Sequence, residues 1–65
     1  MKLEDLKEGD VVKVDDGFPC IDAFVEKRVH IDAWGNLYVF CKKGKHLLDS
    51  QEDVDGELIG ISKAA

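Results

Sequence analysis

Cys20, Cys41 and His46 are the three side chains whose types could hold a zinc ion, with Asp49 or His30 as a fourth ligand. Thiolate and imidazole suit zinc, and a metal would staple a chain of this size. Zinc signatures, however, keep paired cysteines two to four residues apart, and these lie twenty-one apart with no paired motif. Buried thiols are therefore expected and a zinc site is the alternative. A Cys20–Cys41 disulfide would satisfy the same count, but it conflicts with a cytosolic reading, in which both cysteines are reduced and free of metal. For nucleophilic chemistry the pairs to weigh are Cys41 with His46 and Ser50 with either histidine. None sits in a nucleophile elbow or a glycine-rich anion cradle, so no catalytic residue, no cofactor and no enzymatic activity are expected. Residues 51–56 superficially match a calcium loop, yet Gln51 and Ser62 occupy the places that need an acidic first ligand and a glutamate.

The 65 residues carry nine Lys and Arg against fourteen Asp and Glu, a net charge of -5. A field of that sign disfavours phosphate backbones, so direct nucleic-acid binding is not expected. An acidic mimic that occupies a nucleic-acid-binding protein is a further alternative. Charge is uneven along the chain: Lys42, Lys43, Lys45 and His46 form a basic knot, followed by Asp49, Glu52, Asp53, Asp55 and Glu57. Solvated faces are the simplest reading of both. No apolar run approaches the length of a membrane span, and residues 1–10 hold six charged side chains where a secretory signal would need an apolar core. One cytoplasmic domain over residues 1–65 is expected.

The elements that must position these side chains are short. Residues 3–8 fit one helical turn, with Leu3 and Leu6 three apart. Strands are expected at 11–14, 24–32, 37–41, 45–49 and 57–62, with the only proline in an excursion at 18–23. Asp32 and Gly35 hold the first and fourth places of a type I turn, so a loop of Ala33, Trp34 and Gly35 pairs Asp32 with Asn36. That register sets Ile31 against Leu37 and Val29 against Val39 on a core face, with His30 beside Tyr38 and Arg28 beside Phe40 on the other. In the next hairpin a three-residue loop pairing Cys41 with Lys45 is favoured over a Lys43-Gly44 loop pairing Cys41 with His46.

Five strands in this order resemble a Src-homology-3-like small β-barrel, and the opening run from Leu6 through Gly9-Asp10 to Val14 is similar to the start of many bacterial small barrels. The resemblance implies an all-β, five-stranded barrel. Val14-Asp15-Asp16-Gly17 and Phe40-Cys41 stand where the peptide-binding branch carries its tyrosine motif and paired tryptophans, so proline-rich ligands are not implied. The translation and transcription branch shares a Gly-Asp start, but the basic surface beside it is missing. Phe18-Pro19-Cys20, Leu37 to Cys41, Gly44-Lys45-His46 and Leu48-Asp49-Ser50-Gln51 also resemble a pattern in short phage and prophage proteins, which implies a source and no activity.

Five aromatic residues remain to be placed. Trp34 at a turn tip and Phe18 beside the proline sit in loops that flank the usual ligand groove of such barrels, and Tyr38, Phe40 and Arg28 extend it along the outer sheet face. Core packing competes with binding for Trp34, and is the stronger expectation for Phe24. The sequence thus points to a non-catalytic, protein-binding module of phage type with Phe18, Arg28, Trp34, Tyr38 and Phe40 as binding residues.

Overall fold

The computed structural model describes residues 1–18 and 24–64. A single 3₁₀ turn, Leu3–Asp5, opens the chain, and six strands follow: β1 (Val11–Val14), β2 (Glu26–Arg28), β3 (His30–Ile31), β4 (Leu37–Cys41), β5 (Gly44–Leu47) and β6 (Ile61–Lys63). A second 3₁₀ turn, Leu48–Gln51, lies between β5 and β6. The strands form two antiparallel three-stranded sheets, ordered β2-β1-β6 and β3-β4-β5. Among the described residues no helix is long and apolar enough to cross a membrane.

β1 shows why the first sheet forms. Val12 and Val14 are fully buried while Lys13 between them is exposed, the period-two pattern of a half-buried strand. β-Branched side chains suit that surface, and Lys13 lies opposite Glu26 on β2. From β4 the second sheet contributes Val39, also fully buried, with Leu37 and Cys41 packed against the same core. Leu6, Phe18, Val29, Leu48, Leu58 and Ile61 complete the interior.

The expected five-stranded, Src-homology-3-like barrel is not what the chain builds. Both sheets stay open, and among the described residues no ladder of strand pairs joins one to the other. Two local causes account for this. The expected strand over residues 24–32 is divided at Val29, whose amide donates to Asp10 O at 2.8 Å and whose carbonyl accepts from Gly9 N at 2.9 Å. Val29 thus still belongs to the first sheet, while His30 already pairs with Tyr38 in the second. The expected last strand, 57–62, is cut to Ile61–Lys63 because Gly60 turns the chain with φ of 79°. What precedes it makes isolated bridges, Lys2 with Glu57 and Glu52 with Leu58, so among the described residues β6 has β1 as its one ladder partner.

The β3–β4 hairpin forms in the expected register, with His30 opposite Tyr38 and Ile31 opposite Leu37. Gly35 N donates to Asp32 O at 3.1 Å and Asp32 N to Asn36 O at 3.0 Å, and Gly35 takes φ of 84°. The β4–β5 hairpin matches neither anticipated register: Cys41 lies opposite Gly44, Phe40 opposite Lys45 and Val39 opposite His46. Its positive φ, 109°, falls on Gly44. Lys42 and Lys43 therefore need no left-handed backbone, and the preference for Asn or Asp in two-residue loops does not apply.

Candidate functional site

Alternation along β4 decides what the second sheet shows on its outer side. Leu37, Val39 and Cys41 face the core, so Tyr38 and Phe40 point the other way. Cross-strand partners on that side are His30 from β3, and Leu47 and Lys45 from β5. Three rings meet there: His30 stacks on Tyr38 at 5.5 Å, and Phe40 sets its ring edge-on to His30 at 5.1 Å and to Tyr38 at 5.3 Å. Such pairs contribute about 0.5–1.5 kcal/mol each beyond the area they bury. Phe40 nevertheless remains 54% exposed.

Lys45 ties this cluster to the neighbouring turn. Its Nζ lies 4.5 Å from the centre of the Tyr38 ring and donates to Asp32 Oδ2 at 3.3 Å. The other Asp32 oxygen accepts from Asn36 N and Trp34 N, each at 2.9 Å. The Asn36 amide above all, with the Trp34 amide and the Lys45 ammonium adding to it, holds the Asp32 carboxyl below its usual range, and desolvation opposes them. Trp34, with its amide fixed by Asp32, projects 82% exposed from the tip of the β3–β4 hairpin.

The five binding residues read from the sequence therefore separate. Tyr38 and Phe40 sit together on the outer face, and Trp34 is exposed at the end of the same hairpin, so the core expectation for Trp34 fails. Phe18 is buried, its ring edge-on to His46 at 4.8 Å, and lines no surface groove. Arg28 belongs to the first sheet, opposite Val11, where its Nη1 donates to Gly9 O at 3.2 Å instead of lying beside Phe40. Phe24, expected in the core, is 64% exposed and carries φ of 68°. His30, Lys45 and Leu47 complete the face. The first hairpin's register already set His30 beside Tyr38, whereas Lys45 beside Phe40 follows only from the corrected second one.

The candidate nucleophiles fare differently. Ser50 Oγ does lie 3.3 Å from His46 Nε2. Gln51 fixes what that contact means, since its Nε2 donates to Ile59 O at 2.7 Å and so turns Oε1 toward His46 Nε2, 3.0 Å away. A proton on His46 Nε2 is then required to complete that bond, and the nitrogen has no lone pair to offer Ser50. The Ser50 hydroxyl is itself spent on Leu47 O at 2.7 Å. This constellation is a structural latch between β5, the second 3₁₀ turn and residue 59.

Cys41 is disulfide-bonded, contrary to the expectation of reduced thiols, and its sulfur is not available to a base or to zinc. The chain's other cysteine, Cys20, lies outside the described residues. With Cys41 bridged and His46 engaged, the alternative zinc site of Cys20, Cys41 and His46 loses its basis. Among the described residues no three His, Cys, Asp or Glu side chains converge on a metal position. A shallow cleft of about 300 Å³ opens between the first 3₁₀ turn and the β3–β4 hairpin, over Leu3 and Leu37 with Glu4, Asn36 and Asp49 around it. It brings together no nucleophile and base. No protein-family model matches the chain, nor does any curated protein or solved structure.

Proposed function

We propose that this domain is a non-catalytic interaction module that binds another protein through the outer face of its second sheet. The observation that carries the reading is the exposed ring of Phe40 set in a contact cluster with His30 and Tyr38, at one end of a hairpin whose other end projects Trp34. Aromatic side chains held in place by their neighbours offer large contact area at little entropic cost, which is why they recur at the centres of interfaces. The basic rim fits the same use, since Lys45 caps Tyr38 with an amphipathic stem.

A phage or prophage source is carried with this proposal on the residue pattern alone. A cytoplasmic location rests on the small number of cysteines, and the bridge at Cys41 weighs against it, because disulfides persist in oxidising compartments. Trapping thiols by alkylation in intact cells before lysis decides between the two.

Trp34→Ala and Phe40→Ala test the binding reading together. Trp34 is almost fully in water, so its truncation should lower stability by less than about 1 kcal/mol, while partner capture from the native host falls sharply for both variants. Capture that is undiminished in two folded variants removes the face from consideration.

A further inference from the structure

Resting on that binding face, we propose that its occupant is a second copy of this chain: the acidic turn at 52–57 of one copy docks against the lysine-flanked aromatic face of the next.

The two surfaces complement one another in charge. At the end of β4 nearest Phe40, the hairpin tip carries Lys42 and Lys43, both exposed and, among the described residues, without a hydrogen bond or ion pair. At the acidic turn, Glu52, Asp53 and Asp55 surround Val54, which is 101% exposed. Asp53 holds the turn in shape: its Oδ1 accepts from Asp55 N at 2.8 Å and Glu57 N at 3.0 Å, and its backbone pairs with Glu57 O at 2.9 Å. Lys2 Nζ fastens the far side by donating to Asp55 O at 2.8 Å. The carboxylates of Glu52 and Asp55 are left without partners among the described residues. A rigid turn that presents one valine between free carboxylates is what an aromatic face edged by free lysines can take, and little ordering cost remains to be met.

Within one copy the two surfaces do not meet. Ion pairs among the described residues include Met1 with Glu57, Lys45 with Asp32 and Lys63 with Asp10, none of which uses Lys42 or Lys43. At a net charge of -5 two copies repel in most orientations, and the approach of basic tip to acidic turn is the attractive one. Face and turn are different surfaces, so the contact is heterologous and propagates head to tail. A single turn against a hairpin buries less than the roughly 800 Å² per partner of a standard interface, which puts the contact in the weak class. Salt should screen it.

Sedimentation velocity of the whole chain, from micromolar to millimolar protein at low and high sodium chloride, reads the association directly. The expected result is a sedimentation coefficient that rises with concentration at low salt and loses that rise at high salt. K42E/K43E and E52K/D55K should each remain monomeric while keeping the wild-type melting curve, and an equimolar mixture of the two should associate again, because each supplies the charge the other inverted. V54S should weaken the rise, with every charge in place. A wild-type chain that stays monomeric throughout, or a mixture that fails to recover, overturns the proposal. If Phe40→Ala still abolishes capture of another protein in that case, the binding reading stands and only the occupant is wrong. A monomeric wild type whose Phe40 and Lys43 resonances move on adding a thymidine oligonucleotide assigns the face to single-stranded nucleic acid instead.

Discussion

Gln51 is the one buried polar side chain among the described residues, and both ends of its amide are spent. Replacing it by leucine keeps the volume and removes two hydrogen bonds, leaving the Ile59 carbonyl and the His46 Nε2–H to find other partners. Each bond contributes about 0.5–1.5 kcal/mol net, and a buried group left unpaired adds its desolvation penalty, so Gln51→Leu should cost about 2–4 kcal/mol. At about 0.05–0.15 kcal/mol per residue the whole domain has roughly 3–10 kcal/mol to lose, so the melt should move by a large fraction of its range. Gln51→Glu separates the two ends. It keeps an acceptor for His46 but sets a carboxylate oxygen against Ile59 O, and should cost about 1–3 kcal/mol at neutral pH. Part of that loss should return on acidification, when a protonated carboxyl can donate. Urea melts at two pH values measure both variants, with ¹⁵N spectra of His46 reporting the Nε2–H tautomer. A leucine variant within about 0.5 kcal/mol of wild type, or a His46 protonated on Nδ1 alone, would refute the latch and return Ser50 and His46 to consideration as a reacting pair.

Gly60→Ala should be severe, because its methyl would lie 2.8 Å from Phe18 N and 2.9 Å from Gly17 C at φ of 79°; about 2–4 kcal/mol is expected by denaturant melt. Gly35→Ala, with nothing within 4 Å of the added carbon, is its control and should cost only about 1 kcal/mol for the left-handed backbone. The lowered pKa of Asp32 stabilises the fold above the ordinary aspartate range, and that contribution is lost as pH falls through the still lower value in the folded state. The stability gap between wild type and Asp32→Asn, followed by melts from neutral to strongly acidic pH, should therefore shrink toward the acid end; a constant gap rejects the assignment. A reductant should lower the melting temperature, since Cys41 is disulfide-bonded and a bridge restrains the unfolded chain by about 2–4 kcal/mol.

Where local chemistry alone sets a structure, the residues announce it. Val11–Val14 alternates as a half-buried strand must, Leu37–Cys41 is bounded by turn residues on both sides, and Asp32 with Gly35 encodes a hairpin whose register holds to the residue. The failures share a different character. Val29 has the inward parity of a core strand, but parity says nothing about which sheet's backbone it bonds, and its bonds go to Gly9 and Asp10. Gly60 falls inside the expected strand 57–62; its conformation shortens that strand and denies the sheets a joining ladder. Barrel closure is a long-range event, and the same turns and strand lengths serve an open pair of sheets.

The candidate face was legible for the same reason that its outline was not. A central strand apolar at five consecutive positions, Leu37 to Cys41, cannot hide both sides against one core. Its second side has to be covered or presented, and the exposure of Phe40 shows it presented. Loop aromatics obey no such parity. Phe18 N donates to Asp15 O at 3.0 Å in a turn that closes against Gly60, and this carries the ring inward onto His46. Trp34 occupies a turn of four residues whose geometry is already fixed by Asp32, with no chain left over to fold the indole back. One aromatic loop residue is thus core and the other is surface for reasons that lie in their contacts, and only the strand residues between them could be assigned a side in advance.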